Sequence, residues 1–293
     1  KNNKNNKVIF EKPFGLDLES AKKLEINCIR VFGENQVFVL DHYFGKETIQ
    51  NILFLKFANP FFENVLDNRY VESIELFVEE DLGVVNRIDY YNEVGAVKDI
   101  IQNHLLQTIS LILMDRPLKF ISKYIHDEKL KVLKNLEVLP YNLHLMGQYQ
   151  SYANEAKIYG IKNPKTDTFA KIFFNCKNKR WEGVPIIMRT GKKLEKKCAR
   201  LNINFKPLSK ELESSVPGVQ NNKIIFHIQP KEDIEIVINV KKILESDIVH
   251  TSSFSLYKEY AFDPNPSDGH KKLISDPING DHTLFPTFEE LEE

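Results

Sequence analysis

The sequence has little of several features that mark specialised classes of protein. Its three cysteines, Cys28, Cys176 and Cys198, are too few and too scattered for a disulfide framework or a zinc site, and no metal is expected. The longest apolar runs fall far short of the ~20 residues that a transmembrane helix needs. The amino-terminal KNNKNNK has no apolar core for a signal peptide. Forty basic residues against forty-one acidic ones leave a formal charge of -1, so no global field attracts nucleic acid or a membrane. A cytoplasmic location without either partner is the simplest expectation.

The chain also lacks a Gly-rich phosphate loop of the G-x-G-x-x-G type, although its first forty residues have a βαβ pattern. Val8–Phe10 and Val37–Leu40 are short apolar strands, and between them Asp17 precedes apolar residues at helical spacing. This pattern is typical of parallel strands with a right-handed crossover. Residues 1–40 are therefore predicted to be the last part of a nucleotide-binding domain whose beginning is left out.

Beyond Leu40 the pattern changes to helices first and strands later, which predicts an α+β domain with a large, mainly antiparallel sheet over residues 41–293. Lys46–Phe57 and Val94–Met114 are predicted helices. Tyr152–Asp167 is predicted to be a polar connector, and Phe262–His282 a long irregular segment rich in Pro, Gly and Asp. The predicted strands of this region are His144–Tyr149, Phe169–Phe174, Val184–Arg189, Ile224–Gln229 and Ile234–Val240.

Four ionisable side chains follow the second apolar strand at once, in the stretch DHYFGKE. Asp41, His42, Tyr43 and Lys46 place an acid, an imidazole, a phenol and an ammonium within six residues. An ordinary surface turn would use Asn, Asp, Gly or Pro instead. The mixture indicates a site at the end of this strand.

A histidine occurs on an apolar helix in the stretch EVGAVKDIIQNHLLQ. At ~100° per residue, His104 falls inside the edge of the apolar stripe that includes Val97, Ile101 and Leu105. One interpretation is a hydrogen-bonded core histidine. The other is a half-buried general base whose pKa is set by a partner, for which Asp41 is a candidate.

Two further stretches carry basic residues. In EKPFG, Lys12 follows the first strand, and the alternative interpretation is a turn with a solvated lysine. In RWEGVPIIMRTGKKLEKK, a strand ends at Arg189, and Lys192 and Lys197 lie among four lysines after Gly191. A charged loop would explain them, yet clustered lysines also suit a phosphorylated ligand.

Taken in order, EKPFG, DHYFGKE, EVGAVKDIIQNHLLQ and RWEGVPIIMRTGKKL resemble the glucose-6-phosphate dehydrogenase family. The resemblance runs from about Val8 to about Gln229 and is weaker towards the end of the chain. It implies that residues 1–40 are the end of a Rossmann-type NADP-binding domain and that residues 41–293 bind substrate and form oligomers. The implied reaction is oxidation of glucose 6-phosphate at C1 to a phosphogluconolactone, the first step of the oxidative pentose phosphate pathway, with hydride transfer to NADP.

The resemblance also implies roles for individual residues. His104 would accept the proton of the C1 hydroxyl, and Asp41 would fix its tautomer. Lys12 would lie between substrate and coenzyme. The residues implied to bind the sugar phosphate are His42, Tyr43, Lys46, Glu80, Asp99, Lys192, Lys197 and Gln229.

Some members of the family carry a second, structural NADP on the sheet, and Arg189 matches one of the residues that bind it. At the other positions of that site the chain has Cys198, His227, Glu235 and Val237, which weakens the case for the second site. The family assembles through this sheet. In the strand Ile234–Val240, isoleucines alternate with Glu235, Val237 and Asn239, so one mixed face suits solvent or a partner subunit. A homodimer or homotetramer is therefore expected.

Two alternatives remain open at this point. One is another NAD(P)-dependent sugar oxidoreductase, and the other is a non-catalytic phosphosugar-binding or assembly module. A strand followed by a Gly-rich turn and a basic residue for the 2′-phosphate, upstream of Lys1, would favour the enzyme over the module.

Overall fold

A computed structural model of the chain gives the positions of most of its residues. The structure describes residues 6–15, 17–216, 218–241, 249–256 and 268–293. None of the helices within these ranges has the length and apolar character needed to span a membrane.

The chain folds into two units, each built from separate stretches of sequence. The first unit comprises Lys1–Ala58, Lys98–Leu136 and Asn265–Glu293, and the second comprises Asn59–Val97 and Glu137–Pro264. The predicted boundary at residue 40 separates a coenzyme-binding domain from a substrate-binding domain, which is a different division from these two units. That boundary stays a prediction.

Helices and strands follow one another along the chain in mixed order. The α-helices are α1 (Leu18–Phe32), α2 (Glu47–Phe57), α3 (Pro60–Val65), α4 (Ile88–Ala96), α5 (Leu106–Leu113), α6 (Ser122–Asn135), α7 (Tyr152–Ile158), α8 (Lys210–Ser215), α9 (Asp268–Asn279) and α10 (Phe288–Glu292). The strands are β1 (Val8–Glu11), β2 (Val37–Leu40), β3 (Val71–Glu79), β4 (Leu136–Val138), β5 (Leu145–Gly147), β6 (Phe169–Cys176), β7 (Ile186–Gly191), β8 (Cys198–Phe205), β9 (Lys223–Gln229), β10 (Asp233–Lys241) and β11 (Val249–Ser255).

The first unit contains the predicted βαβ element. β1 and β2 pair in parallel, from Val8 opposite Val37 to Glu11 opposite Leu40. Asp17 caps α1 through a reciprocal pair of bonds, since its carboxylate accepts from the Ser20 amide and the Ser20 hydroxyl accepts from the Asp17 amide. The parallel pairing of β1 and β2 places their carboxyl ends at the same edge, and Lys12 and Asp41 are the next residues in sequence.

The predicted single helix Val94–Met114 is wrong in detail, because three helical segments occupy this region. α4 is interrupted at Gly95 (φ 68°, ψ 177°), a conformation that is essentially restricted to glycine. A π-helix, Val97–Leu105, follows and carries His104, and α5 continues from Leu106. Helices of the π type are rare and occur frequently at functional sites. The helical-wheel position of His104 was calculated for an α-helix and does not apply to this segment.

The second unit contains a nine-stranded sheet in the order β11-β10-β9-β8-β3-β7-β6-β4, with β5 also paired to β6. β3 and β7 pair in parallel, whereas β3–β8, β8–β9, β9–β10, β10–β11, β6–β7 and β5–β6 are antiparallel. The predicted α+β class with a large, mainly antiparallel sheet is therefore confirmed.

The two faces of this sheet differ in burial. On one face the apolar side chains of Ile74, Leu76 and Leu201 are fully buried. On the other face Phe77, Ile225 and the residues between them in the sheet are only half-buried. This second face is called the open face below.

Two of the predicted irregular regions contain helices. The connector Tyr152–Asp167 begins with α7, whose Tyr152 and Ala156 are buried with Ile88 and Tyr91. The predicted irregular segment Phe262–His282 contains α9 from Asp268 onwards, while its residues 262–267 lie outside the described residues. Composition was misleading here because short helices tolerate polar residues when one face is buried.

Candidate active site

The first unit places His104 against Asp41 in a buried pair. The Nδ1 atom of His104 lies 2.6 Å from the Oδ1 atom of Asp41, and both side chains are almost fully buried. Asp41 also accepts a hydrogen bond from the Tyr43 amide at 2.9 Å, which fixes the carboxylate at the start of the short 3₁₀-helix His42–Gly45. The Nδ1 atom must donate to this carboxylate, so Nε2 is left as the acceptor nitrogen.

The acceptor nitrogen of His104 faces an ammonium group. Lys12, next after β1, brings its Nζ atom to 2.9 Å from Nε2 of His104 and 2.9 Å from the carbonyl oxygen of Asp99. The Asp99 carboxylate lies 3.7 Å from the same Nζ atom. Lys12, Asp99 and His104 thus form one contiguous polar group at the carboxyl end of the βαβ element.

Two aromatic rings enclose the imidazole. Tyr43 stacks on His104 with ring centroids 4.3 Å apart and an interplanar angle of 14°, and the His42 ring meets it edge-on at 4.5 Å. A face-stacked aromatic ring attracts a cation, so Tyr43 favours the charged imidazolium.

Burial and hydrogen bonding oppose each other at Asp41. Burial alone would raise its pKa, but the charge and hydrogen bond of His104, with the Tyr43 amide, hold the pKa below its usual range. The His42 side chain is partly exposed to solvent, yet desolvation by the groups around it and the neighbouring His104 lower its pKa to about 4. His42 is therefore neutral near pH 7 and can bind an anion by hydrogen bonding but not by charge.

Lys46 stands at the end of the 3₁₀-helix and is the residue immediately before α2. Its side chain is half-buried. The amino terminus of this 11-residue helix presents backbone N–H groups and a partial positive charge, so Lys46 and the helix end together suit a phosphate.

The second unit gathers the other four sequence-predicted residues at one edge of its sheet. β3 and β7 are parallel and end opposite each other at Glu79 and Gly191, so Glu80 and Lys192 follow at the same edge. Their side chains form an ion pair. Gln229 ends β9 opposite Ala199 of β8, and Lys197 immediately precedes β8. The parallel pairing of β3 with β7 places Glu80 beside Lys192. The antiparallel pairing of β8 with β3 and β9 brings Lys197 and Gln229 to the same edge.

A hydrogen-bonded network that sequence reasoning missed holds this edge together. The Tyr149 hydroxyl donates to Glu155 and accepts from the Val84 amide at 3.1 Å, while Lys193 lies 2.7 Å from the Ser151 hydroxyl. Burial and the Glu155 bond raise the pKa of Tyr149. The network therefore joins the loop after β3 to the loop after β7.

Arg189 lies elsewhere, on the open face of the sheet. Its guanidinium is paired with Glu79 and packs over the Phe77 ring at 4.9 Å. On the same face, His227 is bonded to Glu235 at 2.9 Å. The carboxylates beside these basic groups disfavour a second nucleotide phosphate, which agrees with the weak match of the sequence to that site.

Asp41, His42 and His104 present ligand atoms within 4.8 Å of one another. The Lys12 ammonium beside Nε2 of His104 disfavours a second cation there. The arrangement suits proton transfer better than metal binding.

Comparisons with known proteins agree on one family. The model of the glucose-6-phosphate dehydrogenase C-terminal domain matches residues 53–293, and that of the glucose-6-phosphate dehydrogenase NAD binding domain matches residues 1–51. The first of these ranges alone covers more than half of the chain.

Individual relatives give the same result. Glucose-6-phosphate 1-dehydrogenase of Borreliella burgdorferi is 40% identical over 98% of this chain and 62% of its own length. Glucose-6-phosphate 1-dehydrogenase 5, cytoplasmic, of Arabidopsis thaliana is 35% identical over 97% of this chain and 55% of its own length. A solved glucose-6-phosphate dehydrogenase in complex with its substrate glucose 6-phosphate superposes with a TM-score of 0.90 at 34% identity, over 98% of this chain and 60% of that chain. The chain thus spans about three fifths of the length of these relatives.

The depressed pKa of His42 generates a test. We expect the His42 imidazole to titrate below its ordinary value of 6.5, because desolvation by the groups around it and the neighbouring His104 disfavour its charged form. The unfolded chain then binds more protons than the folded one between about pH 4 and 6.5, so this group makes stability fall as pH falls through that range. NMR titration of the histidine ring protons measures the pKa directly. A His42 pKa at or above 6.5 would contradict the prediction.

Proposed function

The chain belongs to the glucose-6-phosphate dehydrogenase family, and from this membership we propose that the protein oxidises glucose 6-phosphate at C1 to 6-phosphogluconolactone. The observation that carries the proposal is the buried Asp41–His104 pair, whose outward nitrogen is an acceptor next to the Lys12 ammonium. The pair leaves one ring nitrogen able to accept a proton, which oxidation of the C1 hydroxyl requires.

The residues present fit the nicotinamide half of a dinucleotide. Parallel strands β1 and β2 end at Glu11 and Leu40, and Lys12 and Asp41 follow at the edge where α/β sheets bind their ligands. The match of residues 1–51 to the NAD binding domain of the family supports a nicotinamide coenzyme, and we propose that this coenzyme is NADP. When bound, that coenzyme supplies the acceptor for the hydride leaving C1.

His104 performs the proton transfer. Its Nε2 atom accepts the proton of the C1 hydroxyl, while Asp41 holds Nδ1–H and stabilises the imidazolium that forms. The stacked Tyr43 ring favours the same cation. Lys12, which faces Nε2 and the Asp99 carbonyl, would bind the reacting hydroxyl and limit its rotation.

The remaining residues are proposed to bind the sugar phosphate. In the first unit, His42, Tyr43 and Lys46 would bind the phosphate, with the α2 amino terminus behind Lys46, and Asp99 would bind a sugar hydroxyl. In the second unit, Glu80 would bind a hydroxyl, and Lys192, Lys197 and Gln229 would complete the pocket. A dianionic phosphate is a strong anchor, because its binding energy fixes C1 for reaction.

The homo-oligomer also remains a proposal. The open face contains Phe77, Ile225 and Val237 among polar residues, and all three are only half-buried. We propose that a second copy of the chain covers this face, without a structural NADP. We also propose that the protein acts in the cytoplasm, because the name of the Arabidopsis relative gives that location for that protein.

His104→Asn in the full-length protein should lower kcat by ~10²–10⁴-fold, the usual cost of removing a general base, with little change in KM for glucose 6-phosphate. Steady-state NADP reduction measures both constants. His250→Asn, an exposed histidine on β11, serves as the matched control and should behave as the parent. A kcat for His104→Asn within a few-fold of the parent would rule out the assignment.

Lys46→Ala should raise KM for glucose 6-phosphate much more than KM for glucose, since only the phosphorylated sugar presents a dianion to the lost charge. The two substrates are compared with the same enzyme preparation. Equal losses with both would place the phosphate away from Lys46 and leave that residue a structural or catalytic role.

The parent protein should have a dimeric or larger mass by light scattering at micromolar concentration, and Ile225→Asp should dissociate it by placing a charge in the centre of the covered face. Lys157→Asp, at an exposed position on α7 and not on the open face of the sheet, is the control and should keep the assembly. A monomeric parent with full activity would refute the oligomer.

A further inference from the structure

A cluster of buried charged groups lies in the first unit, outside the residues that the reaction uses. Glu290 of α10 is fully buried, with one carboxylate oxygen 2.7 Å from Nδ1 of His126 and the other 2.7 Å from Nζ of Lys129, both on α6. Burial would raise the pKa of Glu290, but the Lys129 charge and the His126 bond hold it below its usual range. An ionised pair at this depth is costly to desolvate and needs further partners.

One of these partners is on the helix that continues from His104. Lys129 also donates to the side-chain oxygen of Gln107 at 2.8 Å, and Gln107 is fully buried three residues after His104. The next residue, Thr108, donates its hydroxyl to the His104 carbonyl at 2.7 Å. The Lys129 ammonium therefore holds the first turn of α5, to which the His104 main chain is bonded.

A second contact reaches the loop that packs on the imidazole. The Lys129 ammonium lies 5.0 Å from the centre of the Phe44 ring. Phe44 is fully buried and follows Tyr43, whose ring stacks on His104. A cation against this ring restrains the 3₁₀-helix that begins beside Asp41.

The carboxy-terminal segment also contacts the strand that leads to Asp41. The outer nitrogen of His126 lies 2.9 Å from the carbonyl oxygen of His282, and the His282 ring stacks on Phe38 at 4.0 Å. Phe285 meets the same Phe38 ring edge-on at 5.1 Å. Phe38 lies in β2, three residues before Asp41.

We propose that Glu290, acting through Lys129 and Gln107, is a positioning residue that keeps the His104 helix and the Asp41 strand in the arrangement that proton transfer needs. The proposal rests on the proposed roles of His104 and Asp41. It differs from simple docking of α10, because the same ion pair contacts the helix that continues from His104 and the 3₁₀-helix that follows Asp41. Loss of precise alignment affects turnover more than it affects substrate binding.

The central experiment compares two glutamates of the same helix in the full-length protein. Glu290→Gln removes the buried charge. Glu292→Gln removes a more exposed ion pair, to Lys22 at 3.5 Å, which docks the same helix without contacting the His104 helix. We expect Glu290→Gln to lower kcat by about 10- to 100-fold with KM nearly unchanged, and Glu292→Gln to behave as the parent. Equal effects of the two substitutions would overturn the proposal.

A second variant separates positioning from stability. Glu290→Gln leaves the Lys129 charge buried without its carboxylate, so the melting temperature should fall. The double variant Lys129→Met with Glu290→Gln removes both charges and should recover much of that temperature. Its kcat should stay low because Gln107 loses the Lys129 ammonium in this variant. Recovery of kcat together with the melting temperature would show a purely structural role and refute the proposal.

The hydrogen bond between His104 and Asp41 gives a readout that does not need turnover. A short bond from an imidazole N–H to a carboxylate gives a far-downfield proton NMR signal, which His104→Asn identifies by its loss. Glu290→Gln should shift or broaden this signal, and Glu292→Gln should leave it in place. An unchanged signal in Glu290→Gln would refute the positioning role. A parent protein that does not oxidise glucose 6-phosphate would refute the proposed function. In that case the NMR comparison of the two variants still decides whether Glu290 positions the His104–Asp41 pair.

Discussion

The buried contact between Asp41 and His104 is the constraint on which the rest of the first unit depends. A carboxylate taken out of water is stable only if charge and hydrogen bonds replace its hydration, and here the imidazole and the Tyr43 amide do so. Both partners must then be held firmly, because neither can move without leaving a buried polar group unsatisfied. Asp41 is held at the end of a buried strand. His104 lies in a π-helix, where the widened turn changes the direction of the side chain relative to an ordinary helix.

Parallel strands explain why polar groups gather in both units. β1 and β2 end side by side, and so do β3 and β7, although the second pair is inside a sheet that is otherwise mainly antiparallel. Each pair leaves two residues at a common edge, Lys12 with Asp41 in one unit and Glu80 with Lys192 in the other. Antiparallel neighbours would place such residues at opposite ends of the strands. The parallel pairing of β3 with β7 is therefore the feature that brings Glu80 and Lys192 to a common edge of the large sheet.

Local patterns predicted those parts of the fold that depend on local interactions. Apolar runs located β1 and β2, and Asp17 located the start of α1. β3 was missed because the apolar Phe77 interrupts the alternation of Ile74, Leu76 and Val78 with polar residues, and its central place in the sheet follows only from long-range pairing. The π-helix depends on tertiary packing, which a fixed 100° period cannot represent. The bonds from Glu290 to Lys129 and His126 join residues 161 and 164 positions apart, so no local pattern could have paired them.

Charge compensation within each unit explains how the proposed substrate site can be ordered in a protein with almost no net charge. The Lys12 ammonium is already close to the Asp99 carboxylate, and Lys192 is already paired with Glu80. These lysines are therefore held in place before any anion arrives, and little side-chain entropy is lost on binding. Lys12, which we propose binds the reacting hydroxyl, can then do so without first being ordered. The phosphate is proposed to bind at Lys46 and the amino terminus of α2, which form a local positive feature. Such a site needs no net positive charge on the protein as a whole.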